Sequence, residues 1–244
     1  MALVRYGKNP QGETISGSTT ILGGNLGWSK QPLLIWKENQ VKEVSINLFR
    51  RELEELGIKV SDDDVMRLRN NLNSEVKEKG EAPMTSGTIL HKMIECDLKG
   101  IEPDLSQYPK ELIAPAETGL LNYFEWKDNV KFKVHKTETS LIHKEFWYGS
   151  TLDCVAWINN KLSLFDWKLA AGIYEDYLIQ IESYRRNWNF NFPSEPLQGM
   201  HLLKIDKEKA AYTHHYWDQC PEAWEAFLCT LKLHSLHRVL KKMV

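Results

Sequence analysis

The pair Asn159-Asn160 constrains this chain more than any other feature. It separates two runs rich in apolar, β-branched and aromatic residues, 146–158 and 161–168. Asparagine tolerates the positive φ that both central residues of a type I′ turn require, so the spacing predicts a tight antiparallel hairpin. A weakly alternating run, 131–142, precedes it and completes a three-stranded meander. Counted outward from the turn, Asp153 falls opposite Asp166. Asp166 and Lys168 are two apart, so they share one face of their strand while Trp167 points to the other. Two carboxylates about 5 Å apart across a ladder repel each other unless a cation sits between them.

Upstream of the meander the pattern is helical. The first 30 residues, with Gly12, Gly17, Gly23, Gly24 and Gly27, read as irregular. Helical periodicity then runs from Pro32 to Leu56, with a break near Ser45 and Gly57 as the stop. Ser61 before Asp62, Asp63 and Asp64 is an N-cap hydroxyl followed by acids that oppose the positive end of the helix dipole. That helix is expected to end at Gly80. A separate one is expected from Thr85 or Ser86 to Gly100, and another over 109–127. Downstream, 173–189 is helical through Tyr177, Ile181 and Tyr184. The runs 197–205 and 211–217 read as strands, and Pro221 opens a C-terminal amphipathic helix. The expectation is a single α/β domain over 1–244, mainly helical over 1–130 and carrying its core over 131–244.

Composition limits what such a domain can do. Hydrophobic residues make up 42% and charged residues 26%, as in soluble globular proteins and unlike disordered ones. No apolar run approaches the roughly 20 residues that span a bilayer. Neither a secretory nor a transit signal is evident before Asn25, so a cytoplasmic location with no membrane partner is expected. The net charge of -2 excludes a globally basic nucleic-acid coat but not a local basic groove. Cys96, Cys154, Cys220 and Cys229 lack paired-ligand spacing and read as reduced thiols. His214-His215 point to opposite faces of a strand, and His234 and His237 fit a helix surface, which disfavours zinc.

A single D-x-K is most often a surface ion pair; Asp153 at hairpin spacing lifts this one above that. Oxygen ligands beside an ammonium suit Mg²⁺ or Mn²⁺ rather than a soft metal. Such an ion would polarise a phosphoryl oxygen and lower the pKa of bound water. Lys168 could orient that water, or act as a base if burial depresses its own pKa. His91 and Glu95 share one helix face, as do Gln180 and Tyr184.

Taken in order, Gly87-x3-His91-x3-Glu95, Asp153, Asp166-Trp167-Lys168 and Gln180-x3-Tyr184 resemble the RecB-like branch of the PD-(D/E)xK nucleases. Within it the chain is similar to the mitochondrial genome maintenance exonuclease and its phage and bacterial relatives. The likeness extends to 18–22, 34–37 and 152–156, and covers about 15–235. It implies a restriction-endonuclease-like core, a mixed sheet of about five strands with flanking helices, and N-terminal helices forming an arch or cap. It also implies metal ligation by His91, Asp153, Asp166 and the Trp167 carbonyl, catalysis by Lys168, and support from Gln180 and Tyr184. Glu138 matches a family acid that orients Lys168 or a metal-bound water, and Glu95 is a weaker match. Two departures stand out: Gly149 lies four before Asp153, with Ser150 in the family's glycine position, and Leu169 replaces a threonine. Only Cys220 and Cys229 fall where some members group three cluster-binding cysteines, so no iron–sulfur cluster is expected.

The implied activity is Mg²⁺- or Mn²⁺-dependent exonuclease action on single-stranded DNA with a free end, in replication, recombination or repair in a phage or bacterium. A recombination protein is a possible partner. The alternatives are a structure-specific or double-strand endonuclease, and a nuclease-derived DNA-binding module without catalysis. Arg185 and Arg186, next to Tyr184, are candidates for phosphate contact, with Trp188 near. Lys30, Lys37, Arg50, Arg51, Arg67 and Arg69 decorate the N-terminal helices, where Trp28 and Trp36 could stack on bases.

Overall fold

The computed structural model describes residues 6–25, 31–170, 172–206, 209 and 211–243, with side chains for all of these except 24–25, 31–37, 40 and 75–85. The chain divides into two compact units, Gly27–Thr85 and the combination of Met1–Leu26 with Ser86–Val244. Lys30 and Trp28 lie outside the described residues, as do the side chains of Trp36 and Lys37.

The smaller unit is built from α2 (Gln31–Glu55) and the first turns of α3 (Asp62–Lys99). Gly57 ends α2 as expected, at φ 78°, where its N–H donates to Glu54 O and that of Ile58 to Leu53 O. This is a left-handed helix cap of the kind glycine alone adopts without strain. Ser61 starts α3 through a reciprocal box. Its Oγ accepts from the Asp64 N–H at 3.2 Å, while its own N–H donates to Asp64 Oδ2 at 3.2 Å. Two expected breaks are absent: α2 runs through Ser45, and α3 continues through Gly80 as one helix of 38 residues. A lone glycine costs a helix only about 1 kcal/mol, which is too little to stop it without a cap or a left-handed residue.

The larger unit carries a six-stranded mixed sheet. Its strands are β1 (Ser16–Gly17), β2 (Lys133–His143), β3 (Tyr148–Ile158), β4 (Lys161–Leu169), β5 (Gly199–Ile205) and β6 (Tyr212–Trp217). The meander β2–β3–β4 is antiparallel, β5 joins β4 in parallel and β6 joins β5 antiparallel. The hairpin turn has φ 50° at Asn159 and 62° at Asn160, as its chemistry predicts. One face is covered by the last turns of α3 and by α4 (Lys110–Asn129), which bury Ile89, Leu90, Tyr123 and Trp126 against Phe165 and Trp167. The other is covered by α5 (Glu175–Asn191), whose Ile181, Tyr184 and Trp188 pack on Val155, Leu164 and Leu202. Two elements fall where irregular chain was expected, β1 and the helix α1 (Ser18–Asn25). A two-residue strand has no period to detect, and α1 contains two glycines. The C-terminal α6 (Pro221–Leu240) has Pro221 in its first turn and meets α1 through Phe227 and Ile21. Among the described residues no helix is long and apolar enough to cross a membrane.

The feature that positions the site is a fork. β3 pairs with β4 only from Cys154 to Ile158, and with β1 only at Tyr148 and Gly149. β4 meanwhile continues alongside β5 to Leu169. Between those contacts, 150–153 of β3 and 166–169 of β4 do not pair with each other. Asp153 and Asp166 are the first residues past the last rung.

Candidate active site

The register Cys154↔Phe165 puts Asp153 and Asp166 next in line across the fork, as counting from the turn predicts. The Trp167 N–H leans towards Asp153 Oδ2 at 3.5 Å. The Trp167 ring points the other way, into the cluster beneath α4, edge-on to Tyr123 at 6.0 Å. Lys168 returns to the acidic face, with its Nζ 2.8 Å from Asp166 Oδ2 and 5.4 Å from the Tyr177 ring centroid. From α3, His91 reaches the fork and sets Nδ1 3.2 Å from Asp153 Oδ2. The structure therefore brings Asp153, Asp166, Lys168 and His91 together from three elements.

Glu138 belongs to the same set. Thr137 pairs with Cys154 and Thr139 with Leu152, so Glu138 lies opposite Asp153 on the far side of β3. It has φ 46° inside a strand, a strain of about 1–3 kcal/mol that the surrounding ladder must hold. Burial, then the charges of Asp153 and Glu95, push its carboxyl up to about 7. Glu95 sits one helical turn beyond His91 and pairs with Lys92 and Lys99.

Electrostatics at the fork follow from crowding in a desolvated place. Asp166 is only 2% exposed; its burial and the charge of Asp153 raise its pKa despite Lys168. Burial also works on Asp153, but His91 and Lys168 outweigh it and hold that carboxylate below its ordinary value. Burial opposes the charged forms of His91 and Lys168, and the two aspartates reverse that and raise both. Without a cation in the fork the aspartates thus favour the ammonium form of Lys168 over the amine that a base requires.

The supporting residues divide. Gln180 donates to Tyr184 Oη at 2.6 Å, both buried, and burial followed by the Asp166 charge holds the Tyr184 phenol far above its usual range. Tyr184 therefore backs the site from inside the sheet–helix seam. Arg185 and Arg186 both meet an acid of their own helix, and of the two only Arg186 keeps an exposed part. Arg185 is buried and grips Glu182 with Nε at 2.9 Å and Nη2 at 2.6 Å, and Arg186 Nε shares the same acid at 2.8 Å. Glu182 is fully buried and must be neutralised from within the fold. Arg185 has no guanidinium left for a phosphate, and Trp188 is core. Arg50, Arg51, Arg67 and Arg69 are likewise paired with Glu54, Glu55, Asp64 and Glu43.

Sequence reasoning missed Tyr177 beneath Lys168, and Tyr6. The Tyr6 ring lies against Gly149, and its hydroxyl shares a hydrogen bond with Thr151 Oγ1 at 3.0 Å on the open edge of β3. Tyr177, one turn before Gln180 on α5, offered a helical-spacing signal; Tyr6 offered none.

Among the described residues, no three His, Cys, Asp or Glu side chains already stand at metal-ligand spacing. The donors nonetheless suit a hard divalent cation. Asp166 Oδ2 is buried and accepts no aligned hydrogen bond, and the two neighbouring carboxylates are contacted by Lys168 and by the His91 imidazole.

No protein-family model matches the chain, and no curated protein matches it. Solved structures resemble it distantly. A candidate exonuclease from Eubacterium rectale aligns with TM-score 0.46 and 12% identity, over 64% of this chain and 66% of that one. LHK-Exo in complex with dAMP aligns at 0.35 and 13%, over 64% and 86%. LHK-Exo is an alkaline exonuclease from Laribacter hongkongensis. A phage-related exonuclease from Haemophilus somnus aligns at 0.35 and 10%, over 64% and 83%.

Proposed function

We propose that the chain is a Mg²⁺- or Mn²⁺-dependent deoxyribonuclease that removes nucleotides from free ends of single-stranded DNA. The observation that carries this reading is the charged fork, where Asp153, Asp166, Lys168 and His91 converge on one unpaired stretch of sheet. Keeping two carboxylates together in a desolvated place is costly for the fold. Chemistry that needs them repays that cost.

Asp153, Asp166 and His91, with the Trp167 carbonyl, would hold the divalent ion. When bound, it supplies positive charge to the scissile phosphate and a more acidic water. Lys168, fixed as an ammonium against Asp166, steadies negative charge growing on the phosphate oxygens and orients the attacking water. The water oxygen bonds to phosphorus and gives up a proton to solvent, the P–O ester bond opposite breaks, and the departing sugar oxygen takes up a proton from solvent, so that water is consumed and no net proton is left over. Glu138 orients Lys168 or the water across β3. Gln180 and Tyr184 keep the fork rigid from beneath. The biological setting proposed is replication, recombination or repair in a phage or bacterium, with a recombination protein as possible partner.

The test is a panel of end-labelled linear single strands, linear duplex and circular single strands, each with Mg²⁺, Mn²⁺ or excess EDTA. Shortening of linear single strands alone, lost in EDTA and in Lys168→Ala, is the expected result. Cutting of circles would point to an endonuclease. Tight binding without cutting would point to a non-catalytic DNA-binding module.

A further inference from the structure

At its far end β3 carries a second feature that the hydrolytic site does not use. Trp157 is 39% exposed, although an indole in a sheet is ordinarily covered. It pairs in register with Lys133 of β2, so the two side chains stand together on one face. Beside them is an open hollow of about 580 Å³ lined by Lys131, Phe132, Lys133, Trp157, Asn159 and Asn160. Phe132, also in the lining, is held by stacking on Phe165 at 5.4 Å. Lys131 and Lys133 are exposed and have no carboxylate partner among the described residues, unlike Lys161, which pairs with Asp218 at 3.2 Å. The Asn159 and Asn160 carboxamides are exposed on a turn whose backbone is fixed by its left-handed φ values.

An open π-face, two uncommitted ammonium groups, two carboxamides and no acid in the lining select a ligand with a flat polar ring and adjoining negative charge. We propose that this hollow is a non-catalytic subsite for single-stranded nucleic acid. A base stacks on Trp157, the flanking phosphates meet Lys131 and Lys133, and Asn159 and Asn160 face the base edges. A duplex is excluded because its bases are already covered on both faces. Trp157 lies four residues from Asp153, about 13 Å along the strand, with buried Val155 between. The nucleotide held here is therefore not the one being cut. It contributes binding energy from an unreacting part of the polymer. The identity of that polymer rests on the nuclease proposal above.

The experiment measures fluorescence anisotropy of a labelled oligothymidylate in EDTA, for wild type, Trp157→Ala, Trp157→Phe and Lys131→Ala/Lys133→Ala. Trp157→Ala is expected to weaken binding about tenfold, with Trp157→Phe retaining most of the affinity. The double lysine variant should lower the slope of log affinity against log salt by about 1.4. In Mn²⁺ the same variants should raise KM for a long strand and leave kcat unchanged. Equal affinities and salt slopes in all four proteins overturn the subsite, even if the wild type cuts DNA. So does a wild type that binds no oligothymidylate, or a duplex bound with the same dependence on Trp157. A wild type that never cuts, yet binds through Trp157 and the lysines, sustains the subsite and refutes the nuclease.

Discussion

Asp166 carries a cost to the fold that the proposed chemistry would repay. Its carboxyl is buried, close to a second carboxylate, and held mainly by Lys168 at 2.8 Å. Replacing it with Asn removes like-charge repulsion and leaves the volume unchanged. In EDTA, Asp166→Asn should therefore unfold in urea with stability equal to wild type or higher by about 1–2 kcal/mol, while all cleavage is lost. A variant destabilised by more than about 2 kcal/mol would mean that Asp166 is a structural ion-pair residue. The aspartates and Lys168 were legible in the sequence because period-two alternation and a strong turn fix a register without knowledge of the rest. The pairing of the arginines was not drawn, though the signal existed: Glu182 stands three and four residues before Arg185 and Arg186, the spacing at which helix side chains meet. A buried acid claims its cations before any ligand can.

At the scale of elements, the meander, α4, α5, β5, β6 and α6 follow their sequence periods closely. β1 and α1 do not, because their identity comes from partners distant in the chain. β1 exists as a strand only through Tyr148 and Gly149. Gly149 accommodates the Tyr6 ring, and a Cβ there would lie 2.3 Å from it. Gly149→Ala should displace Tyr6 and cost about 1–3 kcal/mol, read as a lower urea midpoint at unchanged m; an unaltered midpoint would show that Tyr6 does not brace the fork. On β5, His201 lies flat on Phe165 at 4.4 Å, with Nδ1 2.9 Å from His214 Nε2 and its own Nε2 buried without a partner. Burial, with help from His214, lowers its pKa to about 3. The unfolded chain takes up this proton near pH 6.5 and the folded one does not. Stability is thus complete above pH 6.5 and falls as pH drops towards 3. Between pH 7 and 4.5 this histidine should account for about 2 kcal/mol. Denaturant titrations of wild type and His201→Phe at both pH values check this: the variant should lose less on acidification, and equal losses would contradict it.

Across the whole molecule, the net charge of -2 means that nucleic acid is held by local groups or not at all. Among the described residues most arginines of α2 and α3 are spent on neighbouring acids. The fork gathers two carboxylates, an ammonium and an imidazole in one desolvated place, and the proposed function sets a divalent ion among them. The direct measurement is release of labelled nucleotides from a linear single strand as Mn²⁺ is titrated, for wild type and Asp166→Asn side by side, with melting temperature followed in the same samples. Wild type should show release and a rise in melting temperature that saturate together, about 2.7 kcal/mol of added stability at a hundredfold excess over Kd, and Asp166→Asn should show neither. Release that persists in EDTA, or an Asp166→Asn protein that cuts and responds to Mn²⁺ as wild type does, would contradict the assignment of the fork as the hydrolytic centre.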